Sequence, residues 1–174
     1  MMMRCLWALF LGSCCVLAQP NSAGGLEPLQ FLLGQWAGAG QGQPGTGRGG
    51  FTLEKDLDGK ILLRRSRVDY PSTKDRPAFV HTDLTIVYSS PAGLSADYFD
   101  NEGHYIQYRV DVGTDRNSVT FLSDQEPGKP RYRLTYRKEA HRLRVTFEIA
   151  PPGQPEAFRT YTEGTVSRSS SRGK

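Results

Sequence analysis

The sequence predicts an all-β fold: one closed antiparallel up-and-down β-barrel of about ten strands, preceded by a short N-terminal helical plug. Three observations predict it. Strand-forming runs recur near 34–41, 49–56, 61–70, 79–88, 94–100, 104–112, 118–124, 131–137, 142–149 and 157–168. The links between them are short and carry turn chemistry, as in Asp58-Gly59, Pro91-Ala92-Gly93, Asn101-Glu102-Gly103, Gly113-Thr114-Asp115, Pro127-Gly128 and Pro151-Pro152-Gly153. Apolar residues alternate with polar ones in the last third: Tyr132, Leu134 and Tyr136 share one face, then Leu143, Val145, Phe147 and Ile149. Short links pair neighbouring strands, and closing the meander removes its exposed edges. The closed cylinder has an inside able to hold a small molecule.

Residues 1–18 read as a signal peptide, with a charge at Arg4, an apolar run from Cys5 to Leu17, and small residues around a cleavage site after Ala18. The run falls short of the roughly 18 apolar residues that a membrane-spanning helix requires. An alternative is Leu11-Gly12-Ser13-Cys14, which resembles a bacterial lipobox and would leave a lipid anchor on Cys14. The expected location is periplasmic or extracellular. All three cysteines lie in this leader, so a chain cut after Ala18 has no thiol for disulfides, thiol catalysis or a zinc–thiolate site. The formal charge of +4 is modest and no nucleic-acid motif accompanies it.

Residues 19–25 form a linker, 26–168 the barrel domain and 169–174 a polar tail expected to be disordered. Leu26, Leu29, Phe31, Leu32 and Leu33 crowd over barely two helical turns and suit a helical or 3₁₀ plug. Gly34-Gln35-Trp36 opens the first strand. Gly42 to Gly50 reads as a flexible connector; it lacks the Gly-Lys-Ser/Thr ending of a phosphate loop and has no helix behind it. The third strand is less clear, because Leu62, Arg64, Ser66 and Val68 mix polar and apolar residues on one face. Ile106, Tyr108, Val110 and Val112 form a clean apolar row opposite Tyr105, Gln107, Arg109 and Asp111.

The plug, Gly34-Gln35-Trp36 and a closing strand that ends in Arg168 together resemble the calycin superfamily, which includes lipocalins, fatty-acid-binding proteins and nitrobindin-like barrels. More narrowly, Asp97 to His104 and Tyr161 to Gly164 resemble uncharacterised exported lipocalin-like domains of bacteria. The resemblance implies that Trp36 closes the barrel base and that Arg168 packs across it. It implies no cofactor: nitrobindin-like barrels hold haem through a histidine on a late strand, and Phe158 to Arg168 contains none. Fatty-acid-binding proteins hold a carboxylate with an Arg-x-Tyr pair, for which Arg159-Thr160-Tyr161 is the match; if Phe158 points inward, Arg159 and Tyr161 point out instead.

Tyr88, Tyr98, Tyr108, Tyr132 and Tyr136 are expected to look inward, where buried phenols need partners from a wet or ligand-filled cavity or from one another. Asp100 with His104 is too small a pair to make a metal site and reads as a loop hydrogen bond, and His81 with Asp83, on one strand face, reads as a polar pair rather than a catalytic one; His141 reads as an exposed turn residue. Arg131, Arg133, Arg137, Arg142 and Arg144 form an outward basic row on two adjacent strands, able to face an anionic envelope surface or to solubilise. The expectation is an exported, non-enzymatic barrel binding a small, largely apolar, possibly carboxylate-bearing ligand through Tyr98, Tyr108, Tyr132, Tyr136, Arg159 and Tyr161. Two alternatives stand beside it: a small lyase or isomerase using Tyr98, Tyr108 and Arg159, and an envelope interaction module using the arginine face.

Overall fold

The computed structural model describes residues 25–169. The expected signal peptide, the lipobox cysteine and all but the first residue of the expected tail lie outside them. Ten strands close into one antiparallel barrel in meander order, β1 pairing with both β2 and β10. They are β1 (Gly34–Gly42), β2 (Gly47–Asp56), β3 (Ile61–Tyr70), β4 (Phe79–Ser90), β5 (Gly93–Asp100), β6 (Tyr105–Val112), β7 (Ser118–Ser123), β8 (Arg131–Glu139), β9 (Arg142–Ala150) and β10 (Arg159–Arg168). Turn chemistry sets most of these ends: Gly93, Gly103, Gly128 and Gly153 all take positive φ, which glycine adopts without penalty.

A 3₁₀ turn over Glu27–Leu32 precedes β1 and buries Leu29 and Leu32. The Trp36 indole donates to the Leu32 carbonyl at 2.8 Å and stacks on Phe51. Arg168 is the direct cross-strand partner of Trp36. Its guanidinium lies 4.6 Å from the indole centre and donates to the Leu33 carbonyl at 2.8 Å, fastening the last strand to the first. Phe51, Phe121 and Tyr136 meet edge to face above this layer, with Leu53, Leu62, Val87, Val119 and Leu143 buried around them.

Two expectations are corrected. The connector after β1 is only residues 43–46, because Gly47 to Gly50 belong to β2. These glycines are sheet, and their lack of side chains shapes the interior instead of loosening a loop. Tyr88 lies on the outer face, with Asp97 as its neighbour. The buried row of β4 is Asp83, Thr85 and Val87, so Leu84, Ile86 and Tyr88 face out, although they are the more apolar row. With Phe99 and Tyr105, stacked at 5.0 Å and both exposed, they give this flank an aromatic exterior.

Candidate functional site

The inner surface has two unlike walls. On one, Gly38 and Gly40 of β1 face Gly49 and Gly47 of β2, and Gly40 also faces Gly164 of β10. These positions continue the inward rows begun by Trp36, Phe51 and Val166, so five adjoining places present backbone where a barrel ordinarily presents side chains. A Cβ at Gly38 would fall on the Thr165 carbonyl oxygen, and one at Gly47 would press on the Val68 and Tyr70 side chains at 2.7 Å. The facing wall is ringed: Tyr108 contacts Phe121, Phe121 contacts Tyr136, and Tyr132, Phe147 and Tyr161 form a second cluster nearer the rim.

Against the glycine wall lies an open-sided cavity of about 120 Å³, lined by β1, β2 and β10 and flanked by Phe51, Arg64, Ser66, Val68, Val145 and Val166. Tyr70 lines this cavity and also a groove at the rim formed with Thr46, Arg48, Pro71 and Phe79. The Tyr70 and Phe79 rings stack 4.6 Å apart, and Arg76 lies over Phe79 and donates to the Pro44 carbonyl, clasping the loop after β1 to the loop before β4.

Arg64 is the central charge. It sits over Phe51 at 4.9 Å and is ion-paired to Asp83, the carboxylate buried and the guanidinium largely so. The pairing is diagonal: Arg64 stands opposite Thr85 and Asp83 opposite Ser66, and a long side chain spans that offset. Burial works to strip the proton from Arg64, but the attraction of Asp83, with smaller contributions from Tyr136, Tyr98 and Tyr108, holds the guanidinium above its ordinary value.

From Asp83 a polar chain runs to the rim. His81 Nε2 lies 3.7 Å from the Asp83 carboxylate and 3.2 Å from the Tyr98 hydroxyl, and its Nδ1 is 2.8 Å from Glu102. Tyr98 donates to Asp100 at 3.1 Å; the other Asp100 oxygen accepts from the backbone N–H groups of Glu102 and His104, and the His104 ring lies 2.8 Å away. Burial would raise the Asp100 carboxyl, yet the His104, Glu102 and Tyr98 donors outweigh it and hold the group below its ordinary value. Burial raises the Tyr98 and Tyr108 phenols well above theirs, helped by Asp83 in both cases, and pushes Tyr136 up to about 12 against the lowering effect of Arg64. At neutral pH these phenols are hydrogen-bond donors and not bases.

Below the cavity, between Leu32, Leu53, Leu134 and the Phe51 and Phe121 rings, is a niche of about 10 Å³. Arg64, Thr85 and Tyr136 line it, and Arg64 Nε, Thr85 Oγ1 and Tyr136 Oη are three of the four buried side-chain polar atoms without a hydrogen-bond partner among the described residues. Arg64 and Phe51 border both niche and cavity.

The tyrosines expected inside divide between two levels. Tyr108 and Tyr136 are buried in the core, whereas Tyr98 and Tyr132 pack against it half-buried. Phe158 lies outside the barrel under the Arg133 guanidinium at 4.1 Å. Arg159 stands opposite Ile149 and is exposed at the rim. A register shift between Thr160 and Thr162 breaks the period-two alternation at Tyr161, whose ring meets the edge of Phe147. Four of the five arginines of the outer row face carboxylates: Arg131 with Glu156, Arg133 with Glu148, Arg137 with Asp115, and Arg144 with Glu139 and Glu163. His141 is exposed in its turn. Among the described residues no group of three or more His, Cys, Asp and Glu side chains is placed to hold a metal ion.

Sequence reasoning weighed His81 with Asp83 and Asp100 with His104 as separate pairs, and missed Arg64, Thr85 and the glycine wall. The available signal was the mixed row of β3, where Arg64 and Ser66 interrupt an otherwise apolar face.

Comparison of the sequence with protein-family models and with curated proteins finds no match. Among solved structures, the crystal structure of Rv2717c from M. tuberculosis aligns with a TM-score of 0.59 at 14% identity, covering 86% of this chain and 100% of that one. That likeness is one of fold, consistent with a calycin-like barrel.

Proposed function

We propose that this chain is an exported, non-enzymatic barrel of the calycin kind that binds a small, largely apolar molecule in its interior. The observation that carries this reading is the glycine-walled cavity, whose side is formed by a buried arginine with an unpartnered donor. Apolar walls supply binding energy and a few polar groups supply orientation. At about 120 Å³ the space approaches an engineered apolar cavity of roughly 150 Å³ that admits benzene, so the bound body is compact. A ligand reaching farther toward the rim would pass Tyr70 and meet Tyr98, Tyr132 and Tyr161, and only there Arg159.

In this reading the 3₁₀ turn plugs the base, the Trp36–Arg168 contact locks the closing strands, and the leader directs export. The arginine face adds little to an anionic surface contact, because most of its charge is already matched by neighbouring carboxylates. Native mass spectrometry of the protein purified from its own host tests the reading: a co-purifying small molecule is expected. Protein that is consistently empty, and whose stability no small molecule raises, overturns it.

A further inference from the structure

We propose that the outer face of β3, β4 and β5 is an interface between two copies of this chain, packed about a two-fold axis that runs along β4. The inference goes beyond interior binding and does not depend on what the barrel holds.

An antiparallel sheet packed on its inner face ordinarily turns polar residues to water on the other. Here the strand register builds an apolar surface instead: Leu84 lies beside Phe99 and Tyr105 on one rung, Ile86 beside Leu63 on the next, and Tyr88 on a third. Phe99 is 43% exposed and Tyr105 55%, and the other four are half-buried. Apolar side chains that adjoin across four strands, with charges at their border, mark a contact surface, whereas scattered ones do not.

Two charges on this face decide the occupant. Asp97 accepts from the Tyr105 hydroxyl at 3.0 Å and from the Tyr88 hydroxyl, and it has no cation partner among the described residues. Arg65 is exposed and has no ion pair or hydrogen bond among them. One stands on β5 and the other on β3, with the β4 row between them, so they sit roughly 10 Å apart in the sheet and do not meet within one barrel. A two-fold rotation about an axis along β4 sets β3 of one copy against β5 of the other and β4 against itself. Leu84 and Ile86 then meet their own counterparts. Arg65 lies against the partner's Phe99 ring and one rung from the partner's Asp97, and the same contact forms again on the other side of the axis. Each lone charge gains an opposite one and no like charges are opposed, so the face complements itself and a second copy is what fits it.

The test is sedimentation velocity on protein purified from its own host, with native mass spectrometry to identify each species. A dimer is expected to assemble below about 100 μM. Ile86→Lys places two like charges against each other at the axis and should weaken the dimer at least about tenfold while keeping the circular dichroism spectrum, because the side chain faces outward. Arg65→Asp and Asp97→Arg each oppose like charges at both contacts and should weaken self-association in the same way. Mixed together, these two variants place opposite charges at both contacts, so a heterodimer at least about tenfold tighter than either variant's own dimer is expected. Protein that stays monomeric at about 100 μM overturns the proposal. So does a dimer that Ile86→Lys leaves intact, which puts the contact elsewhere on the barrel. Two folded charge variants that do not associate on mixing overturn the two-fold arrangement, and with it the proposal. Should Asp97→Arg fail to fold for want of the tyrosine hydrogen bonds, Ile86→Lys, which leaves them in place, decides the case. Monomeric protein that still carries a small molecule would sink the interface and leave interior binding standing.

Discussion

The two inner walls obey the same period-two geometry and do opposite things. Across β6 to β9 the inward positions carry Tyr108, Phe121, Tyr136 and Phe147, and the rings fill space. Across β2, β1 and β10 the inward positions carry glycine, and space remains. The cavity therefore comes from five absent side chains rather than from a widened barrel. Arg64 stands on β3 beside the glycine wall, and its partner Asp83 is on the next strand, so the buried charge pair is placed where packing is thinnest.

The largest expected effect tests that border. Asp83→Ala strands the Arg64 guanidinium in the core and should cost about 3–5 kcal/mol in urea denaturation, whereas replacing both partners by Met and Leu should restore most of it. A double replacement as unstable as the single would show that the pair is needed for more than mutual neutralisation.

The glycine wall is sharpened by two substitutions on facing strands. Gly38→Ala drives a methyl onto the Thr165 backbone and should destabilise by about 1–3 kcal/mol. Gly47→Ala meets the Val68 and Tyr70 side chains and not backbone, so its cost should be smaller than that of Gly38→Ala. Equal costs would mean that strand proximity does not dictate these glycines.

At the base, where both walls meet, Arg168→Met should remove about 0.5–2 kcal/mol with the contact over Trp36, together with a change in tryptophan fluorescence.

The smallest effect is a pH dependence near the rim. Asp100 is depressed in the folded chain, so its contribution is present above its unfolded value near 3.8 and is lost as pH falls through its lower folded value. Asp100→Asn should accordingly be less stable than the parent at neutral pH, with the difference shrinking below about pH 4. A gap that persists undiminished into acid would exclude the carboxylate as its source.

Strand placement was legible because each strand is bounded by turn residues whose conformational preferences are local, and every expected run overlaps an observed strand. Parity was legible where one row is plainly apolar, as at Ile106, Tyr108, Val110 and Val112. It failed on β4, because the more apolar row of Leu84, Ile86 and Tyr88 faces outward while Asp83 and Thr85 face the core. Hydrophobicity alone points such a strand the wrong way. Arg159 and Tyr161 were read as a same-face pair, and a bulge between Thr160 and Thr162 breaks the alternation on which that pairing depends.

The sequence by itself determined the meander and the pairing of first and last strands, since turn chemistry and strand order act over short stretches and counting carries them round the barrel; the meeting of Trp36 with Arg168 was what the resemblance to calycins implied. Only the tertiary structure decided what the interior contains. The Arg64–Asp83 pair and the glycine wall join residues from five strands, β1, β2, β3, β4 and β10. Their proximity depends on register and closure, which no local run of residues encodes.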